Sequence, residues 1–79
     1  MTKKLTVEAL GLLRTLSELA KTSEFGVVRP KVLAKALDKS YGATVKMLHD
    51  LKRRGYVDNP VFAGWTPTSK GERALRRRK

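Results

Sequence analysis

Gly42, Lys46, His49 and Arg53 are separated by four, three and four residues. On a helix turning about 100° per residue, that spacing puts them on one face. Two of the side chains are cations, and the imidazole carries both a donor and an acceptor when neutral. Lysine and arginine donate to phosphate oxygens and to the acceptor edge of guanine. The glycine leaves a gap near the start of the helix, where free amides and the dipole favour an anion. The chemistry on offer is hydrogen-bonded recognition of a polyanion, not bond making. One histidine, seven scattered carboxylates, no cysteine and no phosphate-cradling glycine loop supply no nucleophile beside a base. Neither an enzyme nor a metal or other cofactor site is expected.

Those residues need a helix to hold them, and the stretch Arg29–Val57, RPKVLAKALDKSYGATVKMLHDLKRRGYV, provides one. The spacing predicts a helix from Tyr41 to Arg54. Thr44, Leu48 and Leu51 cluster on its apolar side, with Met47 on one flank and Val45 and Tyr41 on the other, while Ala43 and Asp50 border the wet face. Ser40 suits the N-cap, since its hydroxyl can accept from a free amide of the first turn. Gly42 costs little so close to the helix start. Gly55 suits a left-handed C-terminal cap, and Lys52, Arg53 and Arg54 suit the negative end of the dipole. A preceding helix opens at Pro30, whose fixed φ and missing N–H are harmless at a first position. Val32, Leu33, Ala36 and Leu37 recur there as a helical stripe, with Lys31 and Lys35 on the other side. Asp38-Lys39 allows only a tight corner between the two helices, which is helix-turn-helix geometry.

The flanking segments read as support. Met1–Lys4 forms a loose basic arm. Thr6 caps a first helix, with Leu5 and Leu10 able to meet as a hydrophobic staple. Ala9, Leu10, Leu13, Leu16, Leu19 and Ala20 form its core stripe, widened by Leu12, and Ser17 falls outside it. That leucine surface also permits a dimer contact. Thr22–Gly26 is a loop in which Phe25 folds back on the core, and Val27-Val28 extends before Pro30. Tyr56-Val57 and the run Val61–Thr66 form a hairpin about an Asp58-Asn59-Pro60 turn, with Gly64 as a bend. Trp65 is a core residue rather than a base-stacking platform, and Phe62 is the exposed apolar contact near the tip. Thr68 caps a short last helix that packs through Ala74 and Leu75. The ends 1–4 and 76–79 are basic and flexible.

Charge is sorted along the chain. Of a net +11, residues 1–28 hold four cations and three anions, giving +1. Residues 29–54 hold eight and two, giving +6, residues 55–69 hold one anion, giving −1, and residues 70–79 hold six and one, giving +5. The excess sits on the helix pair and on the tail, the footprint of a polyanion binder. Seventy-nine residues make one domain, and such a domain buries only about 60% of its unfolded surface. Lack of cysteine fits a reducing cytoplasm. No run is long enough to span a membrane, and none follows the amino-terminal lysines as a signal peptide would need.

With these pieces placed, Leu48-His49-Asp50-Leu51-Lys52-Arg53-Arg54-Gly55-Tyr56-Val57 resembles the helix exit of winged repressors. Thr66-Pro67-Thr68-Ser69-Lys70-Gly71-Glu72-Arg73-Ala74-Leu75 resembles their wing-to-helix signature. From about Thr6 to Leu75 the chain is similar to winged helix-turn-helix domains of bacterial and archaeal repressors, including the multiple-antibiotic-resistance, PadR-like and arsenic-sensor regulators. The resemblance implies an α+β, mostly α fold, with a three-helix core, a small β-hairpin wing and a short C-terminal helix. It implies a recognition helix in the major groove of double-stranded DNA, with Ser40, Tyr41, Gly42, Ala43, Val45, Lys46 and His49 facing the duplex and Arg53 toward a flanking phosphate. Lys31, Lys35, Lys39, Lys46, Arg53 and Arg54 would position the domain on phosphates, while Tyr41, Lys46 and His49 would read base edges. It further implies a cytoplasmic, nucleoid-associated regulator, and a homodimer through the first and last helices on a palindromic site with half-sites about 34 Å apart.

The chain departs from the pattern in three ways: Thr44 stands at a usually aliphatic position, the wing carries no lysine or arginine, and no sensor domain or small-molecule effector site is evident. Two other functions use the same fold. An RNA- or ribosome-associated basic domain would prefer structured RNA over duplex DNA. A phage or plasmid interaction adaptor would need an exposed apolar patch at Val61 and Phe62 and would bind no nucleic acid.

Overall fold

Local hydrogen bonding sets where each helix begins. Thr6 accepts from the Ala9 amide at 3.0 Å and starts α1 (Val7–Thr22). Pro30 starts α2 (Pro30–Leu37), and Ser40 accepts from the Ala43 amide at 3.2 Å to start α3 (Tyr41–Arg53). Thr68 accepts from the Gly71 amide at 3.2 Å and starts α4 (Ser69–Arg77). Between α3 and α4 lies an antiparallel hairpin of β1 (Val57–Val61) and β2 (Gly64–Pro67). This computed structural model describes residues 5–24, 26–61 and 64–77. The arm 1–4, Phe25, Phe62, Ala63 and the last two residues lie outside the described residues, as do the side chains of Val61 and Arg77.

The C-terminal ends of α2 and α3 use the same device with different residues. After α3, Gly55 takes a φ of 86°, its amide donates to the Lys52 carbonyl at 3.0 Å, and the Tyr56 amide reaches Leu51 at 2.9 Å. This pair of bonds satisfies carbonyls the helix would leave orphaned. After α2 the left-handed residue is Asp38, at φ 58°, and the Lys39 amide reaches the Ala34 carbonyl at 3.0 Å. Aspartate tolerates that conformation better than most side chains. The tight corner between the helices is made this way.

The core gathers Leu12, Leu13 and Leu16 of α1, Leu33 of α2, Leu48 and Leu51 of α3, and Val57 and Trp65 of the hairpin. Several sequence expectations are corrected here. In α1 the stripe centres on Leu12, Leu13 and Leu16, and Leu10 and Leu19 are only half-buried. Ser17, expected outside, is buried because its hydroxyl donates to Glu72 of α4 at 2.9 Å. In α2 the inward residues are Pro30, Leu33 and Ala34, with Leu37 half-buried, while Val32 is half exposed at 51% and Ala36 faces solvent. The helix is rotated by about one residue from the expected stripe, since Pro30 itself packs inward. Helix α4 runs through residues 76 and 77, expected in a flexible end.

The hairpin turn is also displaced. Asp58-Asn59-Pro60 lies within β1, and Tyr56 precedes the strand. A one-residue bridge fixes this register: Val28 and Trp65 exchange both backbone hydrogen bonds at 2.8 Å, which makes β2 the inner strand. β1 is left at the edge, where a proline without an N–H is tolerated. The ladder is irregular between Asp58 and Val61, and the Asn59 side-chain amide donates to the Gly64 carbonyl across the gap.

Candidate nucleic-acid interface

Helix α3 divides cleanly into a buried and an uncovered side. Thr44, Leu48 and Leu51 are sealed in the core, at 0–1% exposure. Gly42, Lys46, His49 and Arg53 are exposed, as are Tyr41, Ala43 and Lys52. Four of these lie within about 60° of one another around an ideal helix. Val45 is half-buried on the boundary. Apart from its chain neighbours and the local helix backbone, no heavy atom lies within 4 Å of where a Cβ at Gly42 would stand, so its side of the first turn is open.

Thr44, a departure from the repressor pattern, is explained by its hydroxyl. Oγ1 donates to the Ser40 carbonyl at 2.9 Å, and the Thr44 amide donates to the same carbonyl at 3.1 Å. A buried hydroxyl without a partner costs free energy, and bonding back to the residue four before removes that cost.

Two contacts refine what the exposed residues can do. The His49 ring meets the Trp65 ring edge-on at 90°, with centroids 5.3 Å apart. Trp65 is buried at 4%, so the imidazole is braced against the hairpin base. A side chain held this way loses less freedom on binding than a free one. Asp50 interrupts the positive charge: Arg53 Nη2 lies 3.4 Å from one carboxylate oxygen and Arg54 Nε 3.7 Å from the other. Such partly exposed pairs three and four residues apart contribute only about 0.2–0.5 kcal/mol, so a phosphate can displace them.

The remaining expected contacts are spread over the helix pair. Lys31 and Lys35 are exposed on α2. Lys39 is half-buried and turned to α1, with Nζ 3.7 Å from Glu8 Oε2, which sets it apart from the α3 face. Arg54 is half-buried, and its carbonyl accepts from Lys70 Nζ at 2.9 Å. Ser40 is exposed with its hydroxyl engaged as the N-cap. Among the described residues, no group of three or more histidine, cysteine or carboxylate side chains could hold a metal ion, and no helix is long and apolar enough to cross a membrane.

Sequence reasoning did not find Lys70 as a partner of α3. Its ammonium caps the Arg54 carbonyl and lies 4.8 Å from the centre of the Tyr56 ring. A lysine two residues after a helix cap gives no sign of a contact sixteen residues back.

Helix, corner, exposed helix and hairpin in this order make the chain a winged helix-turn-helix domain. The crystal structure of T. acidophilum IdeR has the same fold, with a TM-score of 0.80 over 96% of this chain at 16% sequence identity. The chain spans about a third of that protein, 34% of its length. No family model and no curated protein sequence matches the chain.

Proposed function

We propose that this protein is a small transcriptional regulator that binds double-stranded DNA sequence-specifically, with residues 41–54 in the major groove. The observation that supports this best is the uncovered face of α3. Lys46, His49 and Arg53 stand together in solvent on a helix whose other side is locked into the core. A rigid helix presenting aligned donors loses little entropy on docking. Lys46 serves guanine, His49 a neighbouring base edge, and Tyr41 an adjoining base or phosphate. Ala43 and Val45 offer apolar contact to a thymine methyl, and Gly42 lets the first turn approach the backbone. Lys31, Lys35, Arg53 and Arg54 hold phosphates and set register. Similarity of residues 48–57 and 66–75 to winged repressors favours regulators of the multiple-antibiotic-resistance or PadR type. The likeness in fold to IdeR supports a regulator more broadly.

The protein acts in the cytoplasm on nucleoid DNA, pairing through α1 on a palindromic site. The free side of α1, where Val7 is 82% exposed, supports that pairing.

Selection of bound duplexes from a random pool tests the reading directly. Enrichment of one sequence is expected, as a palindrome if the protein pairs. Against the selected duplex at fixed salt, Lys46→Ala should weaken binding by about 1–3 kcal/mol, roughly 5- to 150-fold. Unchanged affinity would remove Lys46 from the reading face, and tighter binding of structured RNA would replace the duplex as ligand.

A further inference from the structure

Carboxylates and cations are arranged differently on α4 than on α3. Arg53 of α3 and Arg54 at its C-cap both lean on Asp50. The carboxylate of α4, Glu72, is turned inward and half-buried, with Oε2 accepting from the buried Ser17 hydroxyl. Its outer side shows Lys70, Arg73 and Arg76, all exposed. Among the described residues, neither Arg73 nor Arg76 has a carboxylate within ion-pair distance. Lys70 anchors the start of α4 to the end of α3 through the Arg54 carbonyl, so this cationic surface starts beside Arg53 and Arg54. The hairpin between the two helices has only Asp58 as a charged side chain, and Asp58 is exposed.

We propose that the outer face of α4, centred on Arg73 and Arg76, is the domain's second phosphate grip on the duplex that α3 enters. It takes the place of the hairpin, which carries no lysine or arginine. The inference rests on the major-groove reading of α3 and adds to it a surface on a different element. Arg73 and Arg76 lie three residues apart, so they are neighbours on one side of the helix. A backbone contact there carries no sequence information; it adds affinity and salt dependence and fixes orientation.

The test uses the full chain carrying Arg73→Gln and Arg76→Gln, with folding confirmed by circular dichroism and a thermal melt. Wild type and variant are titrated against the selected duplex with flanking base pairs, across a range of salt. Two lost phosphate contacts should make the slope of log affinity against log salt shallower by about 1.8. Discrimination between selected and scrambled duplexes should be unchanged, and Arg73→Lys with Arg76→Lys should keep the wild-type slope. On a duplex trimmed to the bases under α3, wild type and the glutamine variant should converge. An unchanged slope on the long duplex overturns the proposal, as does an equal loss on the trimmed one, which would mean general attraction rather than contact. If Lys46→Ala weakens binding while the α4 variant does not, the α3 reading stands and this one fails. If wild type binds no duplex at all, both fail together.

Discussion

One glycine in the first turn of α4 and one in the middle of α1 have opposite demands placed on them. A Cβ at Gly71 would overlap the Tyr56 carbonyl oxygen and crowd Leu13 Cδ1 at 3.2 Å. The oxygen belongs to backbone that also accepts from the Thr68 amide, so it cannot yield by a rotamer change. At Gly11, exposed in the middle of α1, no atom beyond its chain neighbours and the local helix backbone lies within 4 Å of the same methyl. The same substitution should therefore change sign between the two sites. Gly71→Ala is expected to lower stability by about 2–3 kcal/mol through overpacking. Gly11→Ala should raise it by roughly 0.5–1 kcal/mol through backbone entropy. Denaturant melts of both variants check this. A neutral Gly71→Ala would mean that α4 can shift on the core without loss.

Helix α3 is where element structure and binding separate most clearly. Gly42 lies in its first turn, open to solvent, so Gly42→Ala should leave stability unchanged or slightly raised. If that turn approaches a phosphate, the new methyl blocks a charge-assisted hydrogen bond of about 1.5 kcal/mol, and affinity for duplex falls roughly tenfold. Full affinity in a stably folded variant would place the first turn away from the backbone. The helix and its caps were legible in the sequence because the hydroxyls of Thr6, Ser40 and Thr68 and the φ of Gly55 act within a few residues. The exposed face followed from periodicity alone. Long-range contacts were not legible. The Val28–Trp65 bridge joins residues far apart in sequence, and it overrode Asp-Asn-Pro as a turn. The His49–Trp65 and Ser17–Glu72 contacts likewise depend on how elements dock, which no local pattern encodes. The phase of α2 was misread because Val32 is more apolar than Ala34, yet the space beneath the helix takes Pro30, Leu33 and the smaller side chain.

At the scale of the whole molecule, a net charge of +11 sits on a body whose shortest dimensions are 24 and 22 Å. At about 20 mM salt the screening length is roughly 20 Å, so basic surfaces on different elements repel across the molecule; at about 200 mM it is near 7 Å and they do not. Folding concentrates charge that the unfolded chain spreads out, so this repulsion acts mainly against the native state. Over that tenfold rise in salt the melting temperature of the free protein should increase, by about 4–8 °C for each kcal/mol of repulsion relieved. Duplex affinity should move the opposite way, falling by about 0.9 log units for each phosphate neutralised. Thermal melts and binding titrations in the same buffers measure both. A basic chain that used its charge for solubility alone would show the first trend without the second. A melting temperature that fell with salt would instead mean that the ion pairs at Glu8 and Asp50 outweigh the repulsion.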